Sequence, residues 1–167
     1  LGELCRIFSF LVKGKPMVVK KNTALLLTIK DPYEILNRNT NNGKILYESY
    51  SKILKKYKKL LDSALKVKDE KLIIFTYTSK EISLTADLSN ELLYKNPGKV
   101  IMVAREKDGN MRTSIRSDSI EVRPILEKVL KEIPGYGGGH PLAVGANVAA
   151  EHFTRFTDLF RKLVNLR

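Results

Sequence analysis

Between Lys44 and Val67 the apolar residues recur at three- and four-residue steps: Ile53, Leu54, Tyr57, Leu60, Leu61, Ala64 and Leu65. That period predicts an amphipathic helix with one apolar stripe. Lys52, Lys55, Lys56, Lys58 and Lys59 cover its other side as a solvated, strongly positive face. Upstream the pattern is less regular, and residues 1–40 read as irregular to partly helical. Gly14–Pro16 signals a turn, and Lys13, Lys15, Lys20 and Lys21 cluster around it. The run TALLLTI, Thr23 to Ile29, fits either a strand or a buried helical turn, and periodicity does not decide between them. Asp31–Pro32 predicts a helix start, with Asp as N-cap and Pro at the first helical position. NRNTNNG, Asn37 to Gly43, reads as a polar break.

After KVKDEK the period changes. KLIIFTYT (Lys71 to Thr78) and KVIMVAR (Lys99 to Arg105) are β-rich runs, and KDGN (Lys107 to Asn110) is a hairpin turn from which MRTSIRS returns as a third strand. Leu84, Leu88 and Leu92 make a helical stripe that stops at Asn96–Pro97–Gly98. Ile125, Leu126, Val129 and Leu130 mark another helix, and Phe153, Phe156, Phe160 and Leu163 a last one. ANVAAEH fits a further strand. The expected fold is α/β: a mixed sheet of about four to five strands flanked by helices. It occupies residues 69–167 and is preceded by a mostly helical linking region, residues 1–68. No internal repeat is visible.

Composition sharpens this picture. Thirty Lys and Arg against 18 Asp and Glu give a net charge of +12 over 167 residues. An excess of this size favours polyanions, because each neutralised phosphate releases counterions. A lysine-rich surface of thermophilic type is the bland alternative. No apolar run approaches the roughly 18 residues a membrane span needs. IFSFLV, Ile7 to Val12, is too short and lacks a cleavage-site pattern for a signal peptide. The single cysteine, Cys5, excludes a disulfide framework and a cysteine zinc site, and an intracellular, cytoplasmic setting is expected. The start at Leu1 rather than Met suggests a piece of a longer protein.

The stretch GYGGGHPLAVGANV, Gly135 to Val148, holds the first candidate chemistry. Gly137, Gly138 and Gly139 leave backbone N–H groups unobstructed and permit positive φ. A helix starting near His140 would aim its free N–H groups the same way, making an anion cradle with His140 at its edge. The plain alternative is a tight turn with His140 as a satisfied core residue. No Lys-Ser/Thr follows the glycines, so this is not a P-loop, and their spacing is not the dinucleotide fingerprint. The second candidate is SIRS, Ser114 to Ser117. In a strand Ser114 and Arg116 share a face, and a guanidinium beside a hydroxyl suits phosphate; a solvated arginine is the alternative. Catalytic machinery is not visible. His140 and His152 are the only histidines, and the seven aspartates are scattered without an Asp-X-Asp. No catalytic residue, metal ligand or cofactor is therefore assigned to this chain.

DLSNELLYKNPGKVIMVA, MRTSIRS and IPGYGGGHPLAVGANV, in that order and spacing, resemble the DHHA1 domain, the C-terminal half of the DHH phosphodiesterases. These include RecJ-like single-strand exonucleases and oligonucleotide phosphodiesterases. The resemblance covers residues 69–167; the region before it is similar to the segment joining the two domains in archaeal RecJ-like proteins. It implies a domain that grips single-stranded DNA, RNA or oligonucleotide through Gly137, Gly138, Gly139, His140, Arg116 and Ser114. The manganese or magnesium ions, and hydrolysis, are expected in a DHH domain that this chain lacks. The chain alone is then not an enzyme, although its parent is a metal-dependent exonuclease. Two other readings stay open: a module docking on a replication or repair protein, and a tRNA-binding relative of the alanyl-tRNA synthetase branch.

Overall fold

The computed structural model describes residues 2–166; Leu1 and Arg167, which delimit the two regions expected from the sequence, lie outside the described residues. The chain divides into two compact units. One runs up to Lys59 and takes in Glu81–Ser83; the other starts at Leu60 and holds the rest.

The first unit is helical: α1 (Gly2–Leu11), α2 (Pro16–Leu26), α3 (Tyr33–Asn37) and α4 (Asn41–Ala64), whose last turn leads into the second unit. The region is therefore more regular than expected. Gly14 takes a positive φ of 115° and Pro16 opens α2 at its first position, so the turn signal is also a helix start. The ambiguous Thr23–Ile29 run divides: Thr23 to Leu26 finish α2 as helix, and Leu27 to Ile29 leave it through its C-cap and a turn. The polar break works as a helix cap: Thr40 Oγ1 accepts the Gly43 N–H at 3.1 Å and donates to Glu34 Oε2 at 3.0 Å. Glu34 Oε1 accepts the N–H groups of Asp31 and Lys30, and these bonds hold the Glu34 carboxyl below the usual range. Phe10 packs on Tyr50 and Tyr57 with ring centroids 5.9 and 5.3 Å away, at the centre of the unit's apolar core.

The second unit is a five-stranded sheet in the order β1-β2-β3-β5-β4. Its strands are β1 (Leu72–Thr78), β2 (Val100–Lys107), β3 (Asn110–Arg116), β4 (Gly135–His140) and β5 (Ala143–Ala149). β1 and β2 are parallel, joined by α5 (Thr85–Lys95); every other pair is antiparallel. α6 (Val122–Glu132) and α7 (Phe153–Asn165) bury one face of the sheet. Val100, Met102, Ile115, Val144 and Val148 meet Ile125, Val129, Phe156 and Phe160 there, all essentially fully buried. α5 lies over β2 and β3 on the opposite face, where its Ser89 Oγ and Ser114 Oγ are 2.9 Å apart.

Two expectations change. The glycine run is itself a strand, and no helix begins near His140. Pro141–Leu142 form a two-residue hairpin link between β4 and β5. Proline's fixed φ suits a turn and not a continuing strand. The helix terminus that does approach the turn is the start of α6, whose Val122 and Arg123 N–H groups donate to the Pro141 carbonyl at 2.8 and 3.1 Å. Those two donors pin the turn and are engaged there, so they are not offered to an anion. No described helix is long and apolar enough to cross a membrane.

Asp69 ties the start of the sheet to α7. Its carboxylate accepts the Lys71 and Leu72 N–H groups, each at 3.0 Å, and pairs with the Arg161 guanidinium. Burial works against ionisation of Asp69, but the Leu72 N–H, Arg161 and the Lys71 N–H outweigh it and lower the pKa. A lowered folded-state pKa means stability that is present above the unfolded value and lost as pH falls through the folded one. Asp69→Asn should cost about 1–3 kcal/mol at neutral pH. Measured by denaturant melts, the gap between wild type and variant should be flat down to about pH 5 and close below it.

Candidate nucleic-acid interface

The register of three strands builds the site. Arg116 pairs with Ala143, and Ala143 with His140; Ser114 pairs with Gly145, and Gly145 with Gly138; Arg112 pairs with Asn147, and Asn147 with Tyr136. Side chains directly opposite one another in a sheet share a face, and so do residues two apart. All of these positions therefore lie on the face that carries α5. α5 covers β2 and β3, so the part contributed by β5 and β4 is a shelf with α5 along one side. Gly145, Gly138 and Ala143 are its floor, and all of β4 is exposed.

Arg116 stands where the shelf meets α5. Its Nε donates to Asn90 Oδ1 at 3.2 Å, and Nη1 donates to the carbonyls of Ile115 at 2.9 Å and Val144 at 3.3 Å. Burial holds its pKa below the usual arginine range, yet a guanidinium stays charged at neutral pH. Among the described residues no carboxylate pairs with it and Nη2 has no acceptor. The result is a fixed cation with a free donor, an arrangement suited to an oxyanion. His140, at the hairpin end of the same row, is exposed. Ser114 is different. It shares the face, but it is 5 % exposed beneath α5 and its hydroxyl is bonded to Ser89. It braces the strand beside Arg116 and offers no surface to a ligand.

The three glycines have different roles. A β-carbon on Gly137 would meet the Gly145 carbonyl oxygen at 2.5 Å and Ala146 at 2.9 Å, so Gly137 is required by the hairpin. Gly139 has φ 146° and no room against the Ala143 carbonyl. Gly138 has neither constraint: its φ is ordinary and a β-carbon there would find nothing within 4 Å. Gly145 is nearly as free, the nearest atom being the Thr113 carbonyl oxygen at 3.4 Å. The protein's own packing does not explain these two floor glycines. β4 is also an edge strand, with alternate N–H groups pointing away from β5.

The sequence pattern singles out neither Asn90 and Ser89, which hold Arg116 and Ser114, nor Arg112, Tyr136 and Asn147. The last three are legible in principle: Arg112, Ser114 and Arg116 keep the period of two, and Tyr136 falls in line once the glycines are read as strand. Asn90 and Ser89 come from tertiary packing of α5 and leave no local signal. Among the described residues no group of three His, Cys, Asp or Glu side chains converges on a point where a metal ion would sit.

The DHHA1 domain model of protein families matches residues 69–166. The chain belongs to the DHHA1 family. A curated relative, the single-stranded-DNA-specific exonuclease RecJ of Haemophilus influenzae, is 32 % identical over 69 residues, 39 % of this chain and 12 % of the relative. Among solved structures, RecJ from Thermus thermophilus in complex with Mg2+ superposes with a TM-score of 0.68 at 15 % identity, covering 90 % of this chain and 23 % of that one. The pGpG-specific phosphodiesterase PggH from Vibrio cholerae gives 0.55 at 19 % identity, over 89 % of this chain and 51 % of its own. The chain therefore spans a small part of the RecJ proteins it matches, and at these identities the structures establish a shared fold.

The glycines give a sharp test of what the DHHA1 shelf is for. Gly138→Val should leave stability within about 0.5 kcal/mol of wild type, because it adds an exposed side chain in open space. Gly139→Ala should cost about 1–2 kcal/mol from backbone strain alone. Thermal melts of the two variants check the contrast, and an equal loss at both positions would contradict it.

Proposed function

We propose that this DHHA1 domain grips the phosphate backbone or a terminal phosphate of single-stranded DNA, RNA or oligonucleotide. In this reading it serves a larger DHH phosphodiesterase in which a separate domain carries the manganese or magnesium ions and cuts the strand. The observation that carries the reading is the row Arg116–Ala143–His140 beside a floor of glycines that the fold does not need. A guanidinium without a carboxylate partner supplies charge, edge N–H groups supply further donors, and the bare floor lets a backbone come close. The net charge of +12 supplies the long-range attraction. The names of the relatives agree in class: one acts on single-stranded DNA, another on the dinucleotide pGpG. The cytoplasm, and replication or repair proteins as further partners, belong to the same reading.

Binding of a short 5′-phosphorylated single strand should be weak and should fall steeply with salt, as ordinary phosphate contacts do. Arg116→Ala should weaken it by about 1.5–3 kcal/mol, the usual worth of a charged hydrogen bond. His140→Ala should weaken it less, and the double variant should lose less than the sum, because both side chains meet one ligand. Full binding by the Arg116→Ala variant would sink the reading.

A further inference from the structure

The third row of the shelf has no place in a simple phosphate grip. Arg105 on β2 pairs directly with Arg112 on β3, and Arg112 leads on to Asn147 and Tyr136. Like charges directly opposite in a sheet repel and destabilise it. Neither arginine is neutralised: among the described residues neither side chain has a hydrogen bond or an ion pair. Arg105 is only 6 % exposed, and its buried Nε has no acceptor. Burying a charged donor without a partner is costly, so such groups are ordinarily satisfied. Asn147 repeats the pattern with the opposite polarity. Its Nδ2 donates to the Tyr136 hydroxyl at 2.8 Å, while its buried Oδ1 accepts from nothing. Tyr136 is 70 % exposed, with its ring beside a shallow hollow lined by Arg112, Gly145 and Asn147.

One row thus holds two uncompensated cations and an uncovered aromatic face. These are the complements of a phosphate and a base ring. Arg112 and Arg116 are four residue steps apart along β3, about 13 Å. Ser114 of the row between them lies under α5, but on β5 and β4 that row is Gly145 and Gly138, so on the open shelf nothing taller than a glycine interrupts the path.

We propose that this third row is a second nucleotide subsite on the same shelf. Tyr136, its hydroxyl held by Asn147 Nδ2, stacks the base, and Arg112, backed by the buried charge of Arg105, holds the adjoining phosphate. The ligand is then a single strand of at least two nucleotides running along the strands from Arg116 to Arg112. Stacking on an exposed aromatic ring tolerates any base, so this subsite adds affinity for length more than for sequence. The inference rests on the reading of the Arg116 row as a phosphate grip.

Amide chemical-shift titrations of the 167-residue chain with adenosine monophosphate, a 5′-phosphorylated oligoadenylate dinucleotide and the corresponding tetranucleotide separate the two ideas. Wild type should bind the dinucleotide and the tetranucleotide more tightly than the monophosphate. Tyr136→Val keeps strand propensity and removes the ring; Arg112→Gln keeps length and removes the charge. Each should weaken the longer ligands by about tenfold and leave the monophosphate nearly unchanged. Arg116→Ala should weaken all three. Without ligand, Arg112→Gln should melt at a higher temperature than wild type, since it relieves the repulsion with Arg105. Equal affinity of wild type for all lengths, or unchanged oligonucleotide binding by both Tyr136→Val and Arg112→Gln, overturns the second subsite while leaving the phosphate grip standing. Unchanged binding by Arg116→Ala, or no binding of any ligand at low salt, brings down both. A lower melting temperature for Arg112→Gln, with the fold otherwise intact by circular dichroism, assigns Arg112 to the structure and counts against the proposal.

Discussion

The site depends on the register of the β3–β5–β4 ribbon. Because side chains alternate with a period of two, a slip of one residue would send His140 and Gly138 to the buried face and put Gly139 and Gly137 on the shelf. The register is fixed at the Pro141–Leu142 link, which leaves β4 and β5 no slack. The link is itself held by α6, whose first N–H groups bond the Pro141 carbonyl, and by the Ser117 N–H, which bonds the Leu142 carbonyl. On the far side of the sheet, Val144, Ala146 and Val148 are buried against α6 and α7, so the core enforces the same alignment that the turn sets. Hydrophobic burial on one face and placement of polar groups on the other are one constraint.

The two faces of the sheet differ sharply in how well their polar groups are matched. The α6–α7 face is satisfied: apolar, close-packed, with its few polar atoms paired, as Thr113 Oγ1 is with the Ala146 backbone. The shelf face is unsatisfied along its outer strands and at their junction with β2. Arg105 Nε, Asn147 Oδ1 and one nitrogen of Arg116 are without partners among the described residues. Native proteins leave few such groups, and here several gather on one face.

Much of this fold is legible in the sequence. The strands around KLIIFTYT, KVIMVAR and MRTSIRS announce themselves by β-branched runs and a turn, and the helices of the second unit by apolar steps of three and four. GYGGGH does not announce itself as a strand. Glycine carries no β propensity and no hydrophobic period, so the run reads as a loop feeding a helix. β4 exists because β5 offers it a ladder to pair with, which is a tertiary fact. The same blindness applies to residues 1–40, where short helices are stabilised by packing, not propensity. The chemistry of Arg116 and of the glycine run is visible in the chain itself. Ser114 draws notice only by its place beside Arg116, and nothing local reveals that α5 covers it.

The edge position of β4 has a further consequence for behaviour in concentrated solution. An exposed edge with free N–H and C=O groups is a template for pairing with another chain, and proteins commonly blunt such edges with charge or proline. Here the blunting is done by glycine. A strand with scarcely any side chains offers an incoming strand no cross-strand contacts beyond Tyr136 and His140, and ordering it carries the full entropic cost of a flexible partner. The feature that keeps the shelf bare thus also makes β4 a poor seed for edge-to-edge association, and the chain's large positive charge adds mutual repulsion between copies.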